Sequence, residues 1–155
     1  MRQKVAGIIC LFVITVMVVP VFAHCEIPCG IYDDQMRITM IEEHITTIEK
    51  SMNQITSLTA AREKNYNHIV RWVENKENHA DELMHIVTQY FMTQRIKPAP
   101  GGDFETYKTY VTRLILLHKM LVSAMKTKQT TDLEHIMELR SLVKQFEKVY
   151  FSPAK

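Results

Sequence analysis

Residues 38–55 read ITMIEEHITTIEKSMNQI. Ile38, Ile41, Ile45, Ile48, Met52 and Ile55 recur at alternating steps of three and four, which puts them in one narrow apolar seam along a helix face. Asp33 or Asp34 is placed to cap its start. Further on, Tyr66, Ile69, Val70, Val73, Ala80, Leu83, Met84, Val87 and Phe91 stand at helical spacing, with a weak patch at Lys76-Glu77. Lys97-Pro98-Ala99-Pro100-Gly101-Gly102 then breaks the chain, because its prolines and glycines suit neither a helix nor a strand. Asp103 can cap a third helix that turns Tyr107, Tyr110, Val111, Leu114, Leu117, Leu121 and Met125 inward. Thr131-Asp132-Leu133-Glu134 fits a capping box and opens a fourth. Its stripe is Leu133, Ile136, Met137, Val143 and Phe146, interrupted at Arg140. Four amphipathic helices with short or moderate loops predict an all-α fold, an antiparallel four-helix bundle over residues 34–155.

Composition agrees with this reading. A chain of 155 residues suits one ordinary domain. With 23% charged and 46% hydrophobic residues it is neither a disordered polyelectrolyte nor a polytopic membrane protein. Four glycines and five prolines are few for an all-β chain full of tight turns. Most of the 10 methionines fall at core spacings and read as core filler.

The N-terminus carries an export pattern. Arg2 and Lys4 form a positive head, an apolar run extends from Val5 to Val19, Pro20 ends it, and Val21-Phe22-Ala23 supplies small residues before a cut. The expected signal peptide is residues 1–23, with the mature protein exported to a periplasmic or extracellular location and no membrane segment kept. Without Arg2 and Lys4, the 19 basic residues become 17, equal to the 17 acidic ones. A generic nucleic-acid binder would keep a basic excess, so no nucleic-acid partner is expected.

Cleavage after Ala23 would start the chain at His24-Cys25-Glu26-Ile27-Pro28-Cys29-Gly30-Ile31-Tyr32. An even cysteine pair in an oxidising compartment ordinarily reads as a disulfide. With three residues between them, however, the ring closes little chain entropy and staples nothing to the rest of the domain. Metal chemistry suits the pair better. The free α-amine of His24, the amide nitrogen of Cys25 and the two thiolates can lie in one plane about a metal, and the imidazole can reach it from above. A square-planar set selects Ni(II) or Cu(II), whereas zinc prefers a tetrahedron. Pro28 and Gly30 let the backbone turn so that Cys29 folds back toward Cys25.

This stretch closely resembles the nickel-binding hook of the nickel superoxide dismutases, His-Cys-x-x-Pro-Cys-Gly-x-Tyr at the mature N-terminus. His24, Cys25, Pro28, Cys29, Gly30 and Tyr32 fill all its specified positions. The resemblance implies a hook over residues 24–33 in which His24, Cys25 and Cys29 ligate one nickel ion per chain. It also implies superoxide as substrate and a four-helix bundle assembled as a homohexamer. Tyr90-Phe91 falls late in the second helix, where the family has a Tyr-Phe pair whose tyrosine approaches the metal pocket. Tyr32 and Tyr90 are therefore the residues expected to orient water or small anions near the metal.

The chain departs from the family pattern twice. Relatives place an acidic residue early in the first helix on the axial imidazole. The corresponding stretch here is Arg37-Ile38-Thr39, which leaves Thr39, a water or another subunit as its partner. Many relatives also expose the hook by cutting a short propeptide inside the cell, whereas here an export signal could do so. Two other readings compete: an exported nickel or copper carrier without turnover, and a structural bundle with a disulfide. His44, His68, His79, His85, His118 and His135 read as surface or boundary residues. Glu82-Leu83-Met84-His85 has the Glu-x-x-His spacing of di-iron bundles, but Asp132-x-x-His135 is the nearest approach to the second copy such a site requires.

Overall fold

The computed structural model describes residues 33–99 and 103–152. The expected signal peptide, and the expected hook apart from Asp33, lie outside these residues. Helix α1 spans Asp34–Ala60 and α2 spans Tyr66–His85, the latter running on as a π-helical segment, Ile86–Arg95. Helix α3 spans Phe104–Gln129 and α4 spans Glu134–Phe151. Each helix packs on two others in cyclic order, α1 on α2 and α4, α3 on α4 and α2. Contacts run antiparallel along every edge. Along α1 and α2, His44 meets His79 and Ser51 meets Asn75. Gln35 meets Glu147 and Arg140 meets Glu49 between α1 and α4, while Arg113 and Ser123 of α3 meet Tyr150 and Glu138 of α4. The four-helix bundle is as the periodicity predicted.

All six side chains of the α1 seam are buried, from Ile38 to Ile55. They face Ala80, Leu83, Val87 and Phe91 of the second helical stretch, Leu116, Leu117, Met120 and Ala124 of α3, and Ile136, Leu139, Val143 and Phe146 of α4. Asp33 rather than Asp34 caps α1, its Oδ1 accepting from the Met36 N–H at 2.7 Å. Asp103 caps α3 through the Glu105 N–H as expected. Asn65, which the pattern did not single out, caps α2 by accepting from the His68 N–H at 3.0 Å.

Elsewhere the inward faces differ from expectation. Tyr66, Val70 and Val73 are exposed. The C-terminal end of α3 lies beside Lys76, so among the described residues the turns of α2 before it pack mainly on α1. In α3, Tyr107 and Met125 are exposed, while Leu116, Met120, Ser123, Ala124 and Thr127 face inward. Apolar residues run round much of α3, so spacing alone left its face free to rotate, and the small side chains at Ser123, Ala124 and Thr127 let neighbours approach closely. In α4, Leu133 and Met137 are exposed and Leu139 and Leu142 take their places. The expected capping box is not made. Asp132 accepts from the Glu134 N–H at 2.9 Å, Thr130 accepts from the Asp132 N–H at 2.7 Å, and α4 starts only at Glu134.

Among the polar contacts between the described helices, two bear most directly on stability. Lys76, the weak patch of the sequence, is buried, and its ammonium donates to the carbonyls of Thr127, Lys128 and Thr130. It thereby neutralises the negative end of α3 and satisfies carbonyls that no later turn can reach. Half-buried between α1 and α2, His44 and His79 face each other with their Nδ1 atoms 2.8 Å apart. Their ring centroids are 5.1 Å apart, the separation of two imidazoles aligned nitrogen to nitrogen. One ring must donate and the other accept, so the pair holds a single proton between the two nitrogens.

Lys76→Met keeps most of the volume and strands those carbonyls. It should lower the urea midpoint by an amount equivalent to about 1–3 kcal/mol with an unchanged m-value. The histidine pair makes stability fall with acid. Burial lowers the pKa of His44 and the facing His79 lowers it further, while Glu82 and Glu43 oppose them. Its folded pKa is thus below its unfolded one, so the stability is present above about pH 6.5 and is lost as pH falls through the folded value. Melting temperature should drop between about pH 7 and pH 5, and His44→Gln should flatten that drop.

Candidate metal centre

His24, Cys25, Cys29 and Tyr32 lie outside the described residues. The point where their segment joins the bundle is described, and Tyr90 is there. Its side chain is 2% exposed and rests edge-on against Phe91, with ring centroids 5.3 Å apart. The guanidinium carbons of Arg37 and Arg95 stand 4.7 and 4.8 Å from the centre of its ring. The Tyr90 hydroxyl donates to Asp34 Oδ1 at 2.6 Å and accepts from Arg95 Nη2 at 2.7 Å. Asp34 also accepts from the Tyr150 hydroxyl at 2.8 Å on Oδ2, and Arg95 Nε lies 2.8 Å from Oδ1. One carboxylate in the first turn of α1 thus gathers a phenol and a guanidinium from the π-helical segment and a second phenol from α4.

Electrostatics fixes the protonation states. Burial pushes the Asp34 carboxyl up, but hydrogen bonds from Tyr90 and Tyr150, with the charge and bond of Arg95, together hold it below the usual carboxylate range. Burial, then the hydrogen bond to Asp34, pushes the Tyr90 phenol up, partly opposed by Arg95. The same two causes push Tyr150 up strongly. Both phenols therefore stay protonated and Asp34 stays charged at neutral pH. With its hydrogen on Asp34, Tyr90 has a lone pair left to offer, so it can hold a water by accepting from it.

Thr39 is exposed, and its hydroxyl donates to the Gln35 carbonyl one turn back at 3.1 Å. What it keeps is an acceptor, the function an imidazole N–H requires. It stands on an open groove with Glu42, Glu43, Thr46, Thr47, Arg140 and Lys144. Among the described residues no group of three or more His, Cys, Asp or Glu side chains is placed to hold a metal ion. Glu82 and His85 are both exposed.

Sequence reasoning named Tyr90 but missed its partners. Asp34 was read as a cap. Arg95 is brought to Tyr90 by a π-helical turn, which the apolar spacing does not announce. Tyr150 was legible, since it follows Phe146 by four on the inward stripe of α4.

Comparison with families settles the affiliation. The profile of nickel-containing superoxide dismutase matches residues 19–153, a span that includes the His-Cys-x-x-Pro-Cys-Gly-x-Tyr stretch. The chain belongs to that family. It is an oxidoreductase that acts on superoxide and takes nickel as its cofactor. No curated protein and no solved structure matches it significantly. The donors that the resemblance implies would suit the metal: two thiolates with amine, amide and imidazole nitrogens favour a soft-to-borderline ion over hard cations.

Tyr90→Phe removes the hydroxyl and leaves the ring packing in place. One charged hydrogen bond to Asp34 and one from Arg95 disappear, while the Asp34–Arg95 ion pair stays. Urea denaturation should register a loss of about 1.5–3 kcal/mol, with helical content by circular dichroism unchanged.

Proposed function

We propose that the chain dismutates superoxide at one nickel ion held by its mature N-terminus, with His24, Cys25 and Cys29 as ligands. Superoxide and protons enter, and dioxygen and hydrogen peroxide leave. Nickel bound there would supply the one-electron redox chemistry that this reaction needs. The thiolates of Cys25 and Cys29 and the deprotonated amide of Cys25 would hold it as anionic donors that favour a higher oxidation state, and the His24 amine and imidazole would add nitrogen donors. Tyr32 and Tyr90 order water and small anions beside the site, Tyr90 through the lone pair that Asp34 and Arg95 leave it. The match of the family profile across the hook sequence is the observation that carries this reading.

Exposure of the His24 amine requires a cut after Ala23, so the reading includes export to a periplasmic or extracellular location. The Arg2/Lys4 head and the Val5–Val19 run support it. Among the described residues no helix is long and apolar enough to cross a membrane. Assembly as a homohexamer comes from the family resemblance. Large apolar side chains exposed at Tyr66, Val70, Phe104, Tyr107 and Met137 are compatible with contacts between copies. With basic and acidic residues balanced after the cut, any steering of superoxide relies on local cations rather than on net charge.

The test turns on one nitrogen. In a chain with one extra residue before His24, the α-amine ligand becomes an amide and every side chain is kept. That protein should fold as a bundle and show little or no superoxide dismutation. Proteolytic trimming to His24 followed by nickel should restore turnover, with about one nickel per chain by metal analysis. Cys25→Ser and Cys29→Ser should each abolish turnover with helicity nearly intact. Equal activity of extended and trimmed proteins would remove the N-terminal amine from the ligand set.

A further inference from the structure

Ile86–Arg95 is a π-helical segment of ten residues, far longer than the single π turns usually found in helices. Its spacing shows in three contacts, each between residues five apart: Thr93 Oγ1 to the Thr88 carbonyl at 2.8 Å, Gln94 Nε2 to the Gln89 carbonyl at 3.1 Å, and the Ile96 N–H to the Phe91 carbonyl at 2.9 Å. In an α-helix, with about 3.6 residues per turn, side chains five apart point away from each other. Here the wider turn brings Arg95 back over Tyr90, and both reach the same carboxylate. The irregular segment thus builds one thing that a regular α2 would not: a paired phenol and guanidinium aimed at Asp34.

Asp34 is the first residue of α1, where the segment bearing the hook residues joins the bundle. We propose that Asp34 is the positioning residue for the metal centre: by gripping the π-helical segment and α4 together, its carboxylate fixes the point and direction in which the hook leaves the bundle. It acts through the backbone and touches neither metal nor substrate. Three donors from two other elements hold it, so a shift of the start of α1 must break several charge-assisted hydrogen bonds at once. A carboxylate serving only the N-terminal end of its helix needs no such partners, and Asp33 already caps α1. This inference rests on the nickel reading for its consequence, though the anchoring itself does not.

The experiment compares Asp34→Asn and Tyr150→Phe with the wild type, all processed to His24. Asp34→Asn presents an amide to a cluster of donors. Tyr150→Phe removes one hydroxyl and keeps the ring stacked on Phe146. Lys76→Met serves as the control, since it destabilises the bundle at the far end of α3 with no link to Asp34. Well below the melting temperature, Asp34→Asn should bind nickel about tenfold more weakly. The electron paramagnetic resonance spectrum of its oxidised form should be shifted, and Tyr150→Phe should show a smaller change in the same direction. In the metal-free proteins, proteolysis within residues 24–33 should be faster for both variants than for wild type. Lys76→Met should match wild type in affinity, spectrum and cleavage. Wild-type values for Asp34→Asn in all three measurements would overturn the proposal, as would equal changes in Lys76→Met, which would mark a general effect of stability. If the wild type neither bound nickel nor turned over superoxide, the nickel reading would fail by itself, and proteolysis would still decide whether Asp34 anchors the segment.

Discussion

The isoleucine seam of α1 is the constraint on which the bundle depends. Six large side chains on one narrow stripe cannot be covered by a single neighbour. Burying each contributes about 1.5–3 kcal/mol, and that gain is reached only when helices close over the stripe from both sides. Helices α2 and α4 flank α1, and α3 completes the ring by packing on both. The order of elements and their antiparallel sense follow from short connections and from this one face needing cover.

Polar groups then decide what the apolar core leaves open. Burial alone would let helices slide or rotate, as the ambiguous face of α3 illustrates. Lys76 pins the end of α3 by donating to its last carbonyls, and Asp34 pins the start of α1 by accepting from two phenols and an arginine. Both are buried or half-buried charges whose desolvation is offset only because several partners converge on each. They sit toward opposite ends of the molecule, one serving the fold and the other the approach to the metal centre.

This arrangement separates stability from chemistry. The metal donors we propose, His24, Cys25 and Cys29, precede the helices in the sequence and stand apart from the residues of the apolar seams. The bundle supplies a rigid edge, an ordered tyrosine and a fixed departure point. Tyr90 belongs to both parts: its ring is core, packed with Phe91, while its hydroxyl belongs to the polar junction at the base of the hook.

By itself the sequence determined the class of fold and the seam of α1, and it named the candidate metal donors. Those depend on local periodicity and on ligand spacing along a few consecutive residues, both of which are readable in one dimension. It also named Tyr90 as a candidate. Tertiary structure alone decided which face of α3 and α4 turned inward, because apolar residues there exceed the area available for burial and only packing against neighbours selects among them. It decided that the first turns of α2 would be exposed, since that depends on where α3 ends. And it decided the role of Asp34, whose partners Tyr90, Arg95 and Tyr150 are 56, 61 and 116 positions away in the chain. No local pattern encodes such a meeting. It requires a π-helical turn, an antiparallel α4 and the end of a helix to arrive at one carboxylate.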